Sequence, residues 1–277
     1  MRPNLLLTLL TVSFIGCSSS SGDSSSPSST NLQIVPVSGG ALTAAGGDAL
    51  ALKVVQTMAD GSTQDLPSGA TVTWSGPPTV TASSPDGTLA NNPYPATGGA
   101  SPVGIWVANP SRADRAADLP GILFVLDSGS PGGSIMVTAT VSGAASGSAS
   151  ASVSVSAAPT GDETRGAMLY GASGANCAEC HGATGGGSAM ANADGSYTID
   201  GMSYSFPAPP IDGEMGNAAA EWSSALFAIS SRADLDDQAV SLRLPMPDWL
   251  GSANSATGKP LSTQDLTDIY AYLKTRQ

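Results

Sequence analysis

Between Leu32 and Ser156 the chain alternates apolar and polar positions. The runs LQIVPV (32–37), LALKVV (50–55), ATVTWS (70–75), SIMVTATV (134–141) and SASVSVS (150–156) carry Val, Ile and Thr in alternation, with Gly, Pro, Asn and Asp between the runs. Period-two alternation puts one face of a strand on a core and the other in water, so residues 31–157 are predicted to form an antiparallel all-β domain. Asp60-Gly61 suits a tight turn between two strands. Trp74 is expected between two sheets, and residues 134–141 and 150–156, joined by SGAASGSA, are expected to pair as a closing hairpin. Residues 76–133 fit less well. NNPYPATGG and PSRADRAADLPG read as one or two long loops, followed by the apolar run ILFVL (122–126). Tyr94 and Trp106, in this irregular part, are candidates either for contact with a carbohydrate or other ligand or for ordinary packing.

From about residue 160 the period shifts to that of a helix. Leu266, Ile269, Tyr270 and Leu273 stand at i, i+3, i+4 and i+7, one continuous face. Ser262 precedes this run as an N-cap, with Asp265 in the first turn and Leu261 and Leu266 spaced as a hydrophobic staple. Lys274 and Arg276 sit at the C-terminal end, where the helix dipole favours cations. A shorter helix is expected after Thr160, which has capping-box spacing to Glu163, with Met168 buried in it. Residues 218–230 (AAAEWSSALFAIS) read as another helix, with Trp222, Leu226 and Ile229 on one side. Asp200-Gly201 is placed to turn a small hairpin between Tyr197 and Tyr204.

The start of the chain differs from both patterns. Arg2 is followed by an apolar stretch, Leu5 to Ile15, too short to span a bilayer as a helix but suited to an export signal. Phe14-Ile15-Gly16-Cys17 resembles a bacterial lipobox, with Phe14 where that signal usually has Leu. The resemblance implies a signal peptide over residues 1–16 and a lipidated Cys17 as first mature residue. Ser18 does not match the Asp that retains such proteins at the inner membrane, so outer-membrane residence is expected. Each buried acyl CH₂ would contribute about 0.8 kcal/mol to that attachment. Residues 18–30 (SSSSGDSSSPSST) have nothing to bury, so residues 17–30 are expected to act as a tether reaching roughly 20 Å as a random coil. By strand order and Trp74, residues 31–157 resemble the bacterial immunoglobulin-like domains of surface proteins, which implies a sandwich acting as spacer or protein-contact module.

Charge narrows the possible partners. The chain carries 22 Asp and Glu against 10 Lys and Arg, a net charge of −12, and no two basic residues are adjacent. Phosphate backbones need clustered Lys and Arg, so nucleic acid is excluded as a partner. Aromatic residues make up only 5% of the chain, against 33 Gly and 20 Pro, which suggests a lightly built structure with many turns.

The chemistry concentrates at Cys177-Ala178-Glu179-Cys180-His181. C-x-x-C-H is the attachment signature of c-type haem. Two thiols three positions apart reach the two vinyl groups of one porphyrin, and the adjacent imidazole faces the iron. A structural zinc site needs four ligands, yet His181 is the only His in the chain and the only other Cys is Cys17. A thioredoxin-type dithiol follows a strand, whereas here a helix and a Gly-rich turn precede Cys177. From residue 160 to the end the chain resembles a class I cytochrome c. Gly166, Leu169 and Tyr170 match that family's G-x-x-L-Y/F helix, and His181-Gly182 completes C-x-x-C-H-G. Tyr170 lies seven residues before Cys177, farther than is common, so GASGA is expected to form an extra loop.

This resemblance implies an all-α domain over 160–277, one covalent haem c, and His181 and a second residue as axial ligands. Met190, Met202, Met215 and Met246 are the free candidates for the sixth position. Met246, in Leu-Pro-Met-Pro, best matches the family's axial Met, which is commonly followed by Pro. Tyr204, Phe206, Trp222 and Trp249 are candidates for contact with the porphyrin or for packing. The implied function is one-electron transfer with a redox protein of the cell envelope, membrane attachment coming from Cys17. The rival readings are a haem peroxidase-like enzyme, which would need an open sixth position, and an adhesive surface lipoprotein with a sensory haem.

Overall fold

Strand formation follows the alternation closely where one face meets water. The computed structural model describes residues 31–81, 103–108, 119–126, 133–171, 173–187, 197–199, 202–204, 208–237, 240–242, 246, 249–250 and 258–276. The expected signal peptide, Cys17 and the tether lie outside these residues. The N-terminal region is β-rich, with β1 (Asn31–Pro36), β2 (Thr43–Ala45), β3 (Ala49–Thr57), β4 (Thr63–Asp65), β5 (Ala70–Ser75), β6 (Thr79–Thr81), β7 (Gly104–Ala108), β8 (Ile122–Val125), β9 (Gly133–Gly143) and β10 (Gly147–Ser156). One sheet runs β1-β3-β8-β7-β6, with β4 also on β3; the other runs β2-β10-β9-β5. As expected, Asp60-Gly61 turns β3 into β4: the Gly61 N–H donates to Met58 O, and Gly61 has φ +83°. The closing hairpin also forms, β9 pairing antiparallel with β10 from Val141↔Gly147 to Gly133↔Val155.

Three features differ from the sequence expectation. The sheets are mixed, since β10 pairs parallel with β2 and β6 pairs parallel with β7. The poorly fitting stretch, 76–133, holds three strands, β6 to β8, while the segments read as loops, 91–99 and most of 110–121, lie outside the described residues. Trp106 is core: it is 5% exposed and packs at 5.4 Å from Trp74, so it offers no surface to a carbohydrate. Tyr94 lies outside the described residues.

A core lies between the two sheets. It is formed by Ile34, Leu52, Val54, Trp106, Leu123 and Val125 from one sheet and Val137, Ala139, Val141, Val153 and Val155 from the other. The first sheet is also apolar on its opposite face. Ile105, Val107, Ile122, Phe124 and Leu126 pack there against Ile229, Ala233 and Leu235 of the C-terminal region. Strands covered on both sides lose the in-out polarity that marks a half-exposed strand, which is why GIWVA and ILFV show no apolar-polar alternation.

The C-terminal region contains α1 (Glu163–Tyr170), α2 (Ala178–His181), the hairpin of β11 (Tyr197–Ile199) and β12 (Met202–Tyr204), α3 (Ala218–Glu221), α4 (Ser224–Ala233) and α5 (Thr263–Lys274). The hairpin pairs Tyr197 with Tyr204 as expected, so this region is helical with a small β element and not all-α. The helix expected over 218–230 is two helices, broken at Trp222-Ser223, where Ser223 caps α4 by accepting from the Leu226 N–H. The cap of α1 is Asp162, which accepts from the Arg165 N–H; Thr160 instead gives its carbonyl to Gln264 Nε2. At α5 the expected Ser262 cap forms a full capping box with Asp265, and the two staple residues are buried, Leu261 and Leu266 at 2% exposed each. Among the described residues no helix is long and apolar enough to cross a membrane.

α1 and α5 cross at Gly166. A Cβ there would overlap the Asp268 carbonyl oxygen and stand 3.0 Å from Tyr272 Cβ. Arg165 bridges from α1 to the carboxylates of Asp265 and Asp268 on α5, and the Asp162 N–H donates to Asp268 Oδ1 at 2.7 Å. Gly166→Ala would normally gain about 1 kcal/mol of helix propensity. Here overpacking against main chain outweighs that gain, and a net loss of about 1–3 kcal/mol is expected in urea unfolding of the full chain.

Asp265 gives a pH prediction. Burial would raise its pKa, but the Ser262 hydroxyl and N–H and the Arg165 guanidinium together hold it below the ordinary 3.8. A depressed carboxylate stabilises the fold fully above its unfolded value, and that contribution is lost as pH falls through the lower, folded value. Thermal stability is therefore expected to drop on acidification below about pH 4. Arg165→Met should reduce that dependence, measured as melting temperature against pH.

Candidate functional site

The C-x-x-C-H motif opens a single helical turn that the neighbouring helices hold from both ends. After α1, Gly171 to Asn176 form the expected extra loop. The Ala175 N–H bonds Leu169 O at 2.6 Å and the Asn176 N–H bonds Gly171 O at 3.1 Å. Asn176 has φ +58°, a left-handed conformation that Asn tolerates better than most residues. Its side-chain amide also bonds the Glu179 carboxylate. This places Cys177 at the start of α2, where its carbonyl accepts from the His181 N–H at 2.9 Å. Cys177 and Cys180 sit on the same turn, each residue part-buried, and they are not joined in a disulfide.

Beyond α2 the chain reverses at Gly182, φ +78°. Two tyrosines fix this reversal. Tyr170 of α1 donates its hydroxyl to Gly182 O at 2.7 Å, and Tyr272 of α5 donates to Ala183 O at 2.9 Å. Their rings lie 5.4 Å apart. The helix pair that crosses at Gly166 thus holds the backbone immediately after the histidine.

His181 is 8% exposed, and its Nδ1 lies 2.8 Å from Pro209 O. A carbonyl only accepts, so Nδ1 carries the proton and Nε2 is left with a free lone pair. Burial lowers the imidazole pKa below its ordinary 6.5, partly opposed by the Pro209 contact. At neutral pH the ring is neutral, with one nitrogen available as a donor to a metal. Hydrogen bonding of the other ring nitrogen is how proteins orient histidine ligands. Sequence reasoning missed Pro209, because its contribution is a main-chain oxygen; the same holds for the hydroxyl bonds of Tyr170 and Tyr272.

The thiols differ from those of a redox dithiol. Burial pushes Cys177 up to about 12, and Cys180 is also raised, by burial and by the Glu179 carboxylate. Dithiol oxidoreductases lower a cysteine pKa to make a thiolate at neutral pH; here both sulfurs are protonated. Among the described residues no group of three His, Cys, Asp or Glu is arranged to hold a bare metal ion. The donor set therefore suits a large prosthetic group attached through its periphery: two unpaired thiols on one turn, one neutral imidazole, and an apolar surround.

That surround is one continuous cluster. Tyr170, Phe227, Trp249, Leu261, Leu266, Ile269, Tyr270 and Leu273 form it, and Cys177, Ala178, Ile211, Trp222 and Met246 pack against it. Met246 and Cys177 thus share an apolar neighbourhood, although 69 positions separate them in sequence. The other methionines fare differently. Met215 is 94% exposed. Met168, expected inside, is 61% exposed, because it lies about 200° around α1 from the crossing residue Gly166. Met190 lies outside the described residues, as does Phe206, and only the backbone of Met202 and Tyr204 is described, in β12. Trp222 and Trp249 join the cluster.

Residues 163–277 match the family model described as Cytochrome c, a span of less than half the chain. No curated protein and no solved structure matches the chain. The C-terminal region therefore carries a cytochrome c domain, which implies covalently bound haem c with its iron and, in general terms, haem-based electron transfer.

Proposed function

We propose that the protein is an envelope-anchored electron carrier holding one haem c. The observation that carries this reading is the neutral His181 ring, with Nδ1 tied to Pro209 O and Nε2 free, one residue after two unpaired thiols on the same turn. Cys177 and Cys180 would hold the group by thioether bonds, and His181 and Met246 would supply an imidazole nitrogen and a thioether sulfur to its iron. When bound, haem supplies one-electron Fe(III)/Fe(II) chemistry. The chain's own contribution is restraint. Tyr170 and Tyr272 fix the turn after His181, Pro209 fixes the ring's tautomer and plane, and the apolar cluster keeps water from the group. With a thioether and an imidazole as its two protein ligands, the group would favour reduced iron and a raised potential. Two protein ligands disfavour an open-site enzyme.

The remaining parts of the proposal are supported by sequence. The lipobox-like Phe14-Ile15-Gly16-Cys17 supports lipidation at Cys17 and residence at the outer membrane. The immunoglobulin-like character of the N-terminal β region, and the division at residues 157–160, are part of the same reading. The electron partner is another redox protein of the envelope, met through a small and transient interface. The net charge of −12 suits a partner with a basic contact surface.

Two experiments test the proposal. Protein produced with haem-attachment machinery is expected to gain the mass of one porphyrin. In the ferric form it should show the weak far-red band of methionine ligation, and Met246→Ala should abolish the band and lower the reduction potential. A band unchanged in that variant would remove Met246 from the site. Separately, Cys17→Ala is expected to move the protein from the membrane fraction to the soluble fraction, with loss of acyl chains by mass spectrometry.

A further inference from the structure

Helix α4 is buried on nearly every side. Eight of its ten residues are buried: Ala225, Phe227, Ala228, Ile229, Ser230, Ser231, Arg232 and Ala233. Phe227 and Ala228 face the apolar cluster around the haem motif, while Ile229 and Ala233 face Phe124 and its neighbours on the outer side of the first β sheet. A surface helix of an independent domain would leave one stripe to water. This helix is instead shared between the β-rich region and the cytochrome c domain.

A polar latch sits where the two meet. Arg232, 6% exposed, donates from Nη1 to Gly47 O at 2.7 Å and to Thr263 Oγ1 at 2.9 Å, and from Nη2 to Leu261 O at 2.8 Å. The Thr263 hydroxyl in turn donates to the Asp48 carboxylate, whose other oxygen accepts from the Ala45 N–H at 2.7 Å. Gly47 has φ +90°, and a Cβ there would lie 3.1 Å from both Ala228 Cβ and Thr263 Cγ2. The turn between β2 and β3 therefore seats against the end of α4 and the start of α5.

The C-terminal end of α4 also holds Leu242 and Trp249, four positions before and three after Met246. The Leu242 N–H donates to Asp234 O at 2.8 Å, and the Trp249 N–H donates to Ser231 O at 3.4 Å. Leu250 packs on the apolar layer shared with the β sheet, and Met246 packs on the haem-side cluster. Leu242 and Trp249, which bracket Met246 in sequence, are thus held by a helix end against which the β-rich region packs.

We infer that the β-rich region clamps the distal side of the haem pocket, with Arg232 as the positioning residue that keeps Met246 on the iron. The inference rests on Met246 being the sixth ligand. The clamp holds α4 against two partners at once, so that Leu242 and Trp249 keep their places and the thioether cannot swing away. Loss of the latch, or of the packing beneath it, frees the segment and opens the sixth position.

The test uses the full, haem-loaded chain. Arg232→Gln removes the latch, and Phe124→Leu loosens the β-side packing from a strand that contributes nothing to the haem-side cluster. Both are expected to lose most of the ferric far-red band per haem and to bind CO in the ferrous form, while retaining covalent haem by mass. Variants that keep the band and reject CO as the wild type does overturn the clamp. A measurement on unaltered protein covers the case in which a variant does not fold. In a urea titration the far-red band should disappear together with amide protection of residues 119–126, measured by hydrogen exchange. A band that outlives this protection overturns the clamp. If the wild type shows no band and Met246→Ala matches it, the ligand assignment itself has failed and the clamp falls with it. A band lost in Met246→Ala but kept in both latch variants refutes the clamp alone.

Discussion

Main-chain contact between α1 and α5 at Gly166 sets the geometry that the haem motif inherits. Helices this close need a residue without a Cβ at the crossing, and they need their buried polar groups answered. Gly166 meets the first requirement, and Arg165 with Asp265 and Asp268 meets the second. With the axes pinned, Tyr170 and Tyr272 come side by side and reach two successive carbonyls, those of Gly182 and Ala183. The backbone path that leaves His181 is therefore set by a steric condition fifteen residues upstream, while Pro209 orients the ring itself. The loop from Gly171 to Asn176 can be longer than is usual because its ends are fixed by the same helix and by the turn it feeds.

A second constraint joins the two halves of the molecule. Burying a guanidinium is unfavourable, and burial does lower the Arg232 pKa, to about 10, opposed by the Asp48 and Asp265 carboxylates. Two backbone carbonyls and a hydroxyl accept hydrogen bonds from it, so the charge is held in a fixed geometry that simple apolar packing would not specify. The contact is thus directional, defining which turn of the β-rich region meets which end of α4. Apolar surface from Ile229, Phe124 and their neighbours adds adhesion without such selectivity.

The parts of this structure legible in the sequence are those determined by near neighbours. The capping box of α5 and its apolar face follow from residues within a few positions of each other, and so do the β3–β4 turn and the β9–β10 hairpin. The C-x-x-C-H motif is itself local. Features decided by distant partners leave no such local trace. Thr160 has capping-box spacing to Glu163, yet the cap is Asp162, whose own N–H is held by Asp268 of α5. The strands β7 and β8 lacked polar alternation because α4 covers their second face. The parallel pairings join strands that are not neighbours along the chain or are separated by a long connection. Within the site, the thiols and the imidazole stand together in one local motif, and the proline after Met246 is what makes that residue the proposed second ligand. Pro209 could not, since any residue presents a carbonyl, and the burial of Arg232 depends on oxygens 29 and 185 positions away.

The oxygen facing His181 Nδ1 belongs to the main chain, and this has an evolutionary consequence. A carboxylate or amide in that position could be exchanged by one base change, altering the electron-donating strength of the imidazole in a single step. A peptide carbonyl survives every substitution at its own residue that preserves the backbone path. The hydrogen bond that orients this ring is therefore insulated from most point mutations at the residue that accepts it.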